Sequence, residues 1–189
     1  MGPLYTLPNA LTLLRLTICP FYLWSFFHGY RMEQRSFLGL AVLGYLLTVL
    51  LDLLDGFIAR KLNQVTPLGS ILDPSIDFII RISTLALFYS LNLVPLWLLC
   101  LYAAFFIEYV LDSHLMRRRQ GPFTFIPSSL GKTVAGLYQW TLGLVMVNQL
   151  FKPRLLEGGH LSLIYASLAV LSLLSIFDRI RRVRGCPPG

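Results

Sequence analysis

The strongest constraint on this chain is a succession of six apolar runs, each close to the length of about 20 residues that crosses a bilayer as a helix. The runs are Asn9–His28, Phe37–Arg60, Ile71–Val94, Pro95–Met116, Gly131–Phe151 and Ser162–Arg179. Lipid offers no partner to backbone N–H and C=O groups, so such runs satisfy themselves as helices. The expected fold is therefore all-α: a polytopic membrane protein with six transmembrane helices. Only 13% of its 189 residues are charged, against about 25% in soluble domains. Pro95 opens the fourth run, where its missing N–H does no harm. The longest connection, 117–130, is basic and then rich in Pro, Ser and Thr. No polar stretch is long enough for a further domain, so residues 1–189 read as one membrane domain. Residues 1–8 would form a short interfacial segment and residues 180–189 a basic tail. The first run contains Arg15 and lacks a small-residue cleavage site, which reads as a retained helix and not a signal peptide. Cys19, Cys100 and Cys186 are far apart, without metal-ligand spacing, and read as small buried hydrophobes.

Charge sets the expected orientation. With the N-terminus in the cytoplasm, Arg60, Lys61, Arg117, Arg118, Arg119, Lys132, Arg179, Arg181, Arg182 and Arg184 lie inside, and Arg31, Arg35, Lys152 and Arg154 outside. The count of 10 against 4 favours both termini in the cytoplasm. The net charge of +7 sits beside apolar runs, where it meets anionic lipid; nucleic acid is not an expected partner.

Four of the nine acidic residues, Asp52, Asp55, Asp73 and Asp77, fall at the ends of two of these helices. An ionised Asp at a membrane-helix centre costs about 2.5–3.5 kcal/mol, and less near the interface. Such a group needs cations or a wet cavity. Asp52 and Asp55 are spaced i, i+3, and Asp73 and Asp77 i, i+4, so each pair shares a helix face. The second helix runs inward and the third outward, which lets the pairs meet near the cytoplasmic surface. Four carboxylates form a hard, oxygen-rich site suited to Mg²⁺ or Mn²⁺, with Ca²⁺ also possible. Paired ions of this kind suit displacement at phosphorus. Gly56, Ala59 and Gly69 lie near these acids and leave room for a ligand or for close helix approach. Arg60 serves as a topological anchor or meets phosphate.

The stretch Asp52-Leu-Leu-Asp-Gly-Phe-Ile-Ala-Arg60, eight residues, then Gly69-Ser-Ile-Leu-Asp73-Pro-Ser-Ile-Asp77 has the pattern DxxDGxxARx8GxxxDxxxD. This resembles the signature of the CDP-alcohol phosphotransferase family, with all eight fixed positions present. The resemblance implies a membrane enzyme in which a hydroxyl attacks a CDP-linked substrate and CMP leaves. It implies two Mg²⁺ (or Mn²⁺) ions on Asp52, Asp55, Asp73 and Asp77, with Asp77 a ligand or the general base. It implies a nucleotide pocket at Gly56, Ala59, Arg60 and Gly69, six membrane helices and a homodimer. The opening Pro8-Asn-Ala-Leu-Thr-Leu-Leu-Arg15 resembles that of phosphatidylglycerophosphate and cardiolipin synthases of the family, which adds Asn9 and Thr12 to the nucleotide side. Asn9 is also a fair N-cap. Arg15 reaches the interface by snorkelling or meets phosphate.

The donor implied is CDP-diacylglycerol, and glycerol 3-phosphate is the first-choice acceptor. Phosphatidylglycerol, inositol or its phosphate, and serine are alternatives. Several positions depart from the glycerophosphate-using pattern: Phe78 follows Asp77 where Lys is usual, Ile107 precedes Glu108 where Arg is usual, and Gly131-Lys-Thr-Val-Ala-Gly-Leu-Tyr-Gln139 has Val134 and Ala135 in place of Lys and Thr. An acceptor phosphate needs cations; Arg117, Arg118, Arg119 and Lys132 are the candidates. Glu108 and Asp112 share a face that could order a polar acceptor or pair with Arg81. The expected location is the cytoplasmic (inner) membrane, with the site facing the cytoplasm. A divalent-metal transporter is the rival of another class. It is disfavoured because the acids gather at one side and the fifth and sixth helices carry little charge.

Overall fold

The computed structural model describes residues 7–61, 69–120, 129–151, 156 and 158–185; within these, the side chains of 7–9, 59, 60, 70, 112–120 and 182–185 are not described. The described residues form six helices: α1 (Leu7–Arg31), α2 (Arg35–Lys61), α3 (Gly69–Ser90), α4 (Leu96–Gln120), α5 (Ser129–Leu150) and α6 (Gly158–Gly185). No strand occurs among them. Three are long and apolar enough to cross a membrane, over Ala10–Arg31, Arg35–Ile58 and Gly158–Arg181; Leu96–Leu111 is a shorter apolar helix. In α3, Asp73, Asp77 and Arg81 interrupt the apolar sequence, and α5 carries Lys132, Gln139, Asn148 and Gln149.

Polar and apolar groups are distributed as a lipid solvent requires. Leu43, Leu53, Trp140 and Leu163 are more than three-fifths exposed, whereas Thr12, Arg15, Ser25, Asp55, Asn148, Ser172 and Arg179 are buried. A water-soluble protein rarely exposes so many large apolar side chains.

Helix ends depart from the hydropathy boundaries for local reasons. The first helix begins at Leu7, which puts Asn9 inside the first turn and not at the N-cap; Pro8 is tolerated there because first-turn N–H groups have no intrahelical acceptor. The sixth helix runs on to Gly185, so the expected tail from residue 180 is helical over its first part. Arg is a good helix former, and cations near a C-terminus complement the helix dipole. The guanidinium of Arg181 also lies 4.3 Å from the Phe177 ring centroid. The third helix stops at Ser90, short of the expected Val94, because Asn92 takes a left-handed conformation (φ 56°). The Leu93 N–H then returns to the Phe88 carbonyl at 2.9 Å, closing a Schellman-type cap. An equivalent cap ends α1, with Glu33 left-handed (φ 54°) and Gln34 N–H on the Gly29 carbonyl at 3.0 Å.

Contacts divide the chain into two units: Met1–Leu87 with Leu142–Leu155, and Phe88–Thr141 with Leu156–Gly189. In the first, α1 and α2 pack closely because small residues stand where they touch. A Cβ on Gly29 would lie 2.7 Å from the Leu38 backbone nitrogen, and one on Gly44 2.8 Å from the Tyr22 Cβ. Tyr22, fully buried, sets its ring edge-on to Tyr45 at 5.8 Å and its hydroxyl 2.7 Å from the Thr84 hydroxyl of α3. This ties α1, α2 and α3 about one core residue. In the second unit, the Tyr102 and Tyr138 rings meet at 4.7 Å. Tyr138 shares a 3.2 Å hydrogen bond with Ser172, and Tyr165 donates to the Leu93 carbonyl at 3.1 Å. Hydroxyls satisfied this way let large rings enter an apolar interior.

Candidate active site

Helical periodicity places Asp52 and Asp55 on one face of α2, and Asp73 and Asp77 on one face of α3. Within the first unit these faces meet a third, that of α1 carrying Thr12 and Arg15. The Arg15 guanidinium stands among all four acids. Its Nη1 donates to Asp52 Oδ1 and, at 2.9 Å, to Asp77 Oδ1. Its Nη2 lies 3.1 Å from Asp55 Oδ2 and 4.0 Å from Asp73 Oδ1. The Thr12 hydroxyl is 2.7 Å from Asp73 Oδ1 and 3.2 Å from Asp55 Oδ2; its single proton serves one of them at a time. Arg81 Nη2 donates to Asp77 Oδ2 at 3.0 Å, so both Asp77 oxygens are engaged.

The acids are graded in depth. The side chain of Asp55 is 5% exposed, Asp77 22%, Asp52 34% and Asp73 47%, whereas that of Arg15 is 2%. The array therefore opens to its surroundings past Asp73 and Asp52, with Arg15 and Asp55 at its floor.

Four carboxylates against the guanidiniums of Arg15 and Arg81 leave a formal charge of −2. The donors are all hard oxygens, and the excess negative charge calls for a further cation, so donor type and charge both suit Mg²⁺ or Mn²⁺. Among the described residues no three acidic, His or Cys side chains already stand as a metal cage; the carboxylates are gathered about the guanidinium.

The other expected site residues are placed as follows. Gly56 is half-buried, directly after Asp55, and Gly69 is buried as the first residue of α3. Lys132 is exposed in the first turn of α5. Asn9, Ala59, Arg60, Arg117, Arg118 and Arg119 lie on helices, but their side chains, like that of Asp112, are outside the described residues. Arg81 and Glu108, a suggested pair, each have a carboxylate or guanidinium partner within their own unit. Arg81 bonds Asp77 one turn before it, while Glu108 faces Arg179 of α6 at 3.7 Å. An i, i+4 partner on the same helix face is already in reach, whereas a cross-helix partner depends on packing. Sequence reasoning missed that Arg15 is the centre of the cluster. The available signal was that it is the one Lys or Arg before Arg31, lying i+3 from Thr12 in a chain whose four clustered acids needed cations.

Helices alone among the described residues, apolar exposed flanks and convergent carboxylates are the features of a membrane protein with an acidic site. The CDP-alcohol phosphatidyltransferase family profile matches residues 5–177, and the chain belongs to that family. It is 30% identical over 173 residues to a protein of Aquifex aeolicus named CDP-diacylglycerol–glycerol-3-phosphate 3-phosphatidyltransferase, covering 90% of this chain and 78% of the relative. A Wigglesworthia glossinidia brevipalpis protein of the same name is 42% identical over 81 residues, covering 43% of this chain and 42% of the relative. A Streptomyces coelicolor protein named cardiolipin synthase (CMP-forming) is 37% identical over 97 residues, covering 49% of this chain and 43% of the relative. The chain thus spans less than half the length of the last two relatives.

Proposed function

We propose that this chain transfers a phosphatidyl group from CDP-diacylglycerol to an acceptor alcohol, releasing CMP, in phospholipid synthesis. Glycerol 3-phosphate is the acceptor. The observation that carries this reading is the convergence of Asp52, Asp55, Asp73 and Asp77, from two helices, on a single cationic centre. Family membership and the names of the Aquifex and Wigglesworthia relatives support the donor and the acceptor. The Streptomyces relative's name makes phosphatidylglycerol the second acceptor to test.

In this reading the acceptor hydroxyl oxygen bonds to the phosphorus that bears the diacylglycerol. The bond from that phosphorus to the bridging oxygen breaks, and CMP leaves with that oxygen. Asp77 takes the hydroxyl proton. The four aspartates hold two Mg²⁺ or Mn²⁺ ions, which when bound offset charge on the diphosphate and the leaving group. Thr12 orients Asp73 and Asp55 by hydrogen bonding. Asn9, Gly56, Ala59, Arg60 and Gly69 border the nucleotide. Arg117, Arg118 and Lys132 receive the acceptor phosphate.

All six helices cross the membrane, with both termini and the site on the cytoplasmic face of the inner membrane. The 10-to-4 distribution of Lys and Arg supports this orientation. Pairing as a homodimer follows from the family resemblance.

The test is CMP release by purified protein from CDP-diacylglycerol with Mg²⁺. Glycerol 3-phosphate, phosphatidylglycerol, inositol, inositol phosphate and serine are offered side by side. Turnover with glycerol 3-phosphate, abolished by a chelator and restored by Mg²⁺, is the expected result. Turnover with another member of the panel alone would reassign the acceptor. No CMP release with any of them, together with Mn²⁺ flux into sealed vesicles, would replace the enzyme with a transporter.

A further inference from the structure

The position of Arg15 is unusual for a structural ion pair. A guanidinium that serves a fold typically lies flat against one carboxylate, with two parallel hydrogen bonds. Arg15 is instead divided among four acids. Only Nη1 makes hydrogen bonds, while Nε and Nη2 are buried without a hydrogen-bond partner. A buried N–H left without a well-aligned acceptor is costly. The summed negative charge of the array holds Arg15 there against that cost. A divalent ion carries twice the charge and accepts oxygen ligands from any direction, so it fits the same array better than a planar fork with fixed N–H directions.

We infer that Arg15 is a built-in counter-cation of the carboxylate array: it holds the four acids together without metal, competes with divalent metal for them, and is released when metal enters. This rests on the reading of the four aspartates as metal ligands. Three consequences follow from the geometry. Release of Nη1 frees Asp77 Oδ1, one of two oxygens engaged in the resting arrangement, for a proton-accepting role. The displaced guanidinium stays beside the array and becomes available to the donor's diphosphate. Metal and donor entry are thereby coupled, because the phosphate-binding cation is set free only when metal has replaced it. Arg15 is in this sense a positioning residue for Asp52 and Asp77.

The test is a Mn²⁺ titration of the full chain in detergent without nucleotide, with free Mn²⁺ read by electron paramagnetic resonance. Arg15→Gln is expected to tighten Mn²⁺ binding at least tenfold and to enlarge the metal-induced rise in melting temperature. Arg81→Gln, which also removes a guanidinium touching Asp77, is expected to change it less than threefold. If Arg15→Gln does not survive purification without metal, Arg15→Lys carries the test. It keeps the charge but loses the fork, and binding at least threefold tighter than wild type supports the inference. Unchanged or weaker binding in the Arg15 variant, or equal tightening in Arg81→Gln, overturns it. Binding that Asp73→Asn removes but Arg15→Gln leaves unchanged overturns this inference and keeps the metal reading. No Mn²⁺ binding by any variant overturns both.

Discussion

In the first unit, four carboxylates from α2 and α3 face the guanidiniums of Arg15 and Arg81. In the second, Glu108 faces Arg179 at 3.7 Å, and that guanidinium also lies 4.7 Å from the Tyr109 ring centroid. Both arrangements place ions inside largely apolar helices, where desolvation is costly. They differ in balance. The Glu108–Arg179 pair carries one charge of each sign and can persist as packing. Among the described residues the aspartate array carries two negative charges more than the guanidiniums of Arg15 and Arg81 offset, which is the excess that the proposed divalent ions would meet. Burial of charge is common to both; the charge sum is where they differ.

The largest effect that would sharpen this contrast is on turnover. Asp77→Asn keeps the size of the side chain and one of its two acceptor oxygens but cannot take a proton. CMP release should fall about 10²–10⁴-fold, the usual worth of a general base, with the melting temperature little changed. Full activity would remove Asp77 from the proton-transfer role.

The second test breaks the Glu108–Arg179 pair. Arg179→Leu or Glu108→Leu alone should lower stability, because each removes one half of an ion pair set within apolar helices. The double variant should recover most of that loss in thermal unfolding, because a balanced pair can be exchanged for apolar side chains. Recovery that fails would mean the second unit also holds charge for a purpose beyond packing. A smaller effect is expected at the α1–α2 contact that positions Arg15 against Asp52. In Gly44→Ala the new Cβ would lie 2.8 Å from the Tyr22 Cβ, forcing the helices apart at a cost of about 1–3 kcal/mol. The Arg15 cluster should loosen with it, read as reduced Mn²⁺ affinity.

The smallest effect compares the two left-handed turn residues. Glu33 ends α1 and Asn92 ends α3 in the same conformation. Glu pays a steric cost there of roughly 1 kcal/mol that Gly avoids, whereas Asn tolerates it better. Glu33→Gly should therefore raise the melting temperature more than Asn92→Gly. The reverse order would mean that Glu33 makes a compensating contact worth more than its strain.

How much of this was legible beforehand follows from the range of the forces involved. The all-helical class, the run boundaries to within several residues and the sharing of a face by each Asp pair are local properties. They depend on apolar run length and on 3.6 residues per turn, and the amino-acid order alone determines them. The family signature over Asp52–Asp77 is likewise written in the order and spacing of residues. Three features were decided only by the tertiary structure. Arg15 reaches acids 37 and 62 positions away along the chain. Glu108 meets Arg179, 71 positions further on, and Thr12 bridges Asp55 and Asp73. Which faces meet depends on how each helix is rotated against its neighbours. That rotation is set by contacts such as Gly44 against Tyr22 and Tyr22 against Thr84, between residues whose separation in the chain carries no periodic signal.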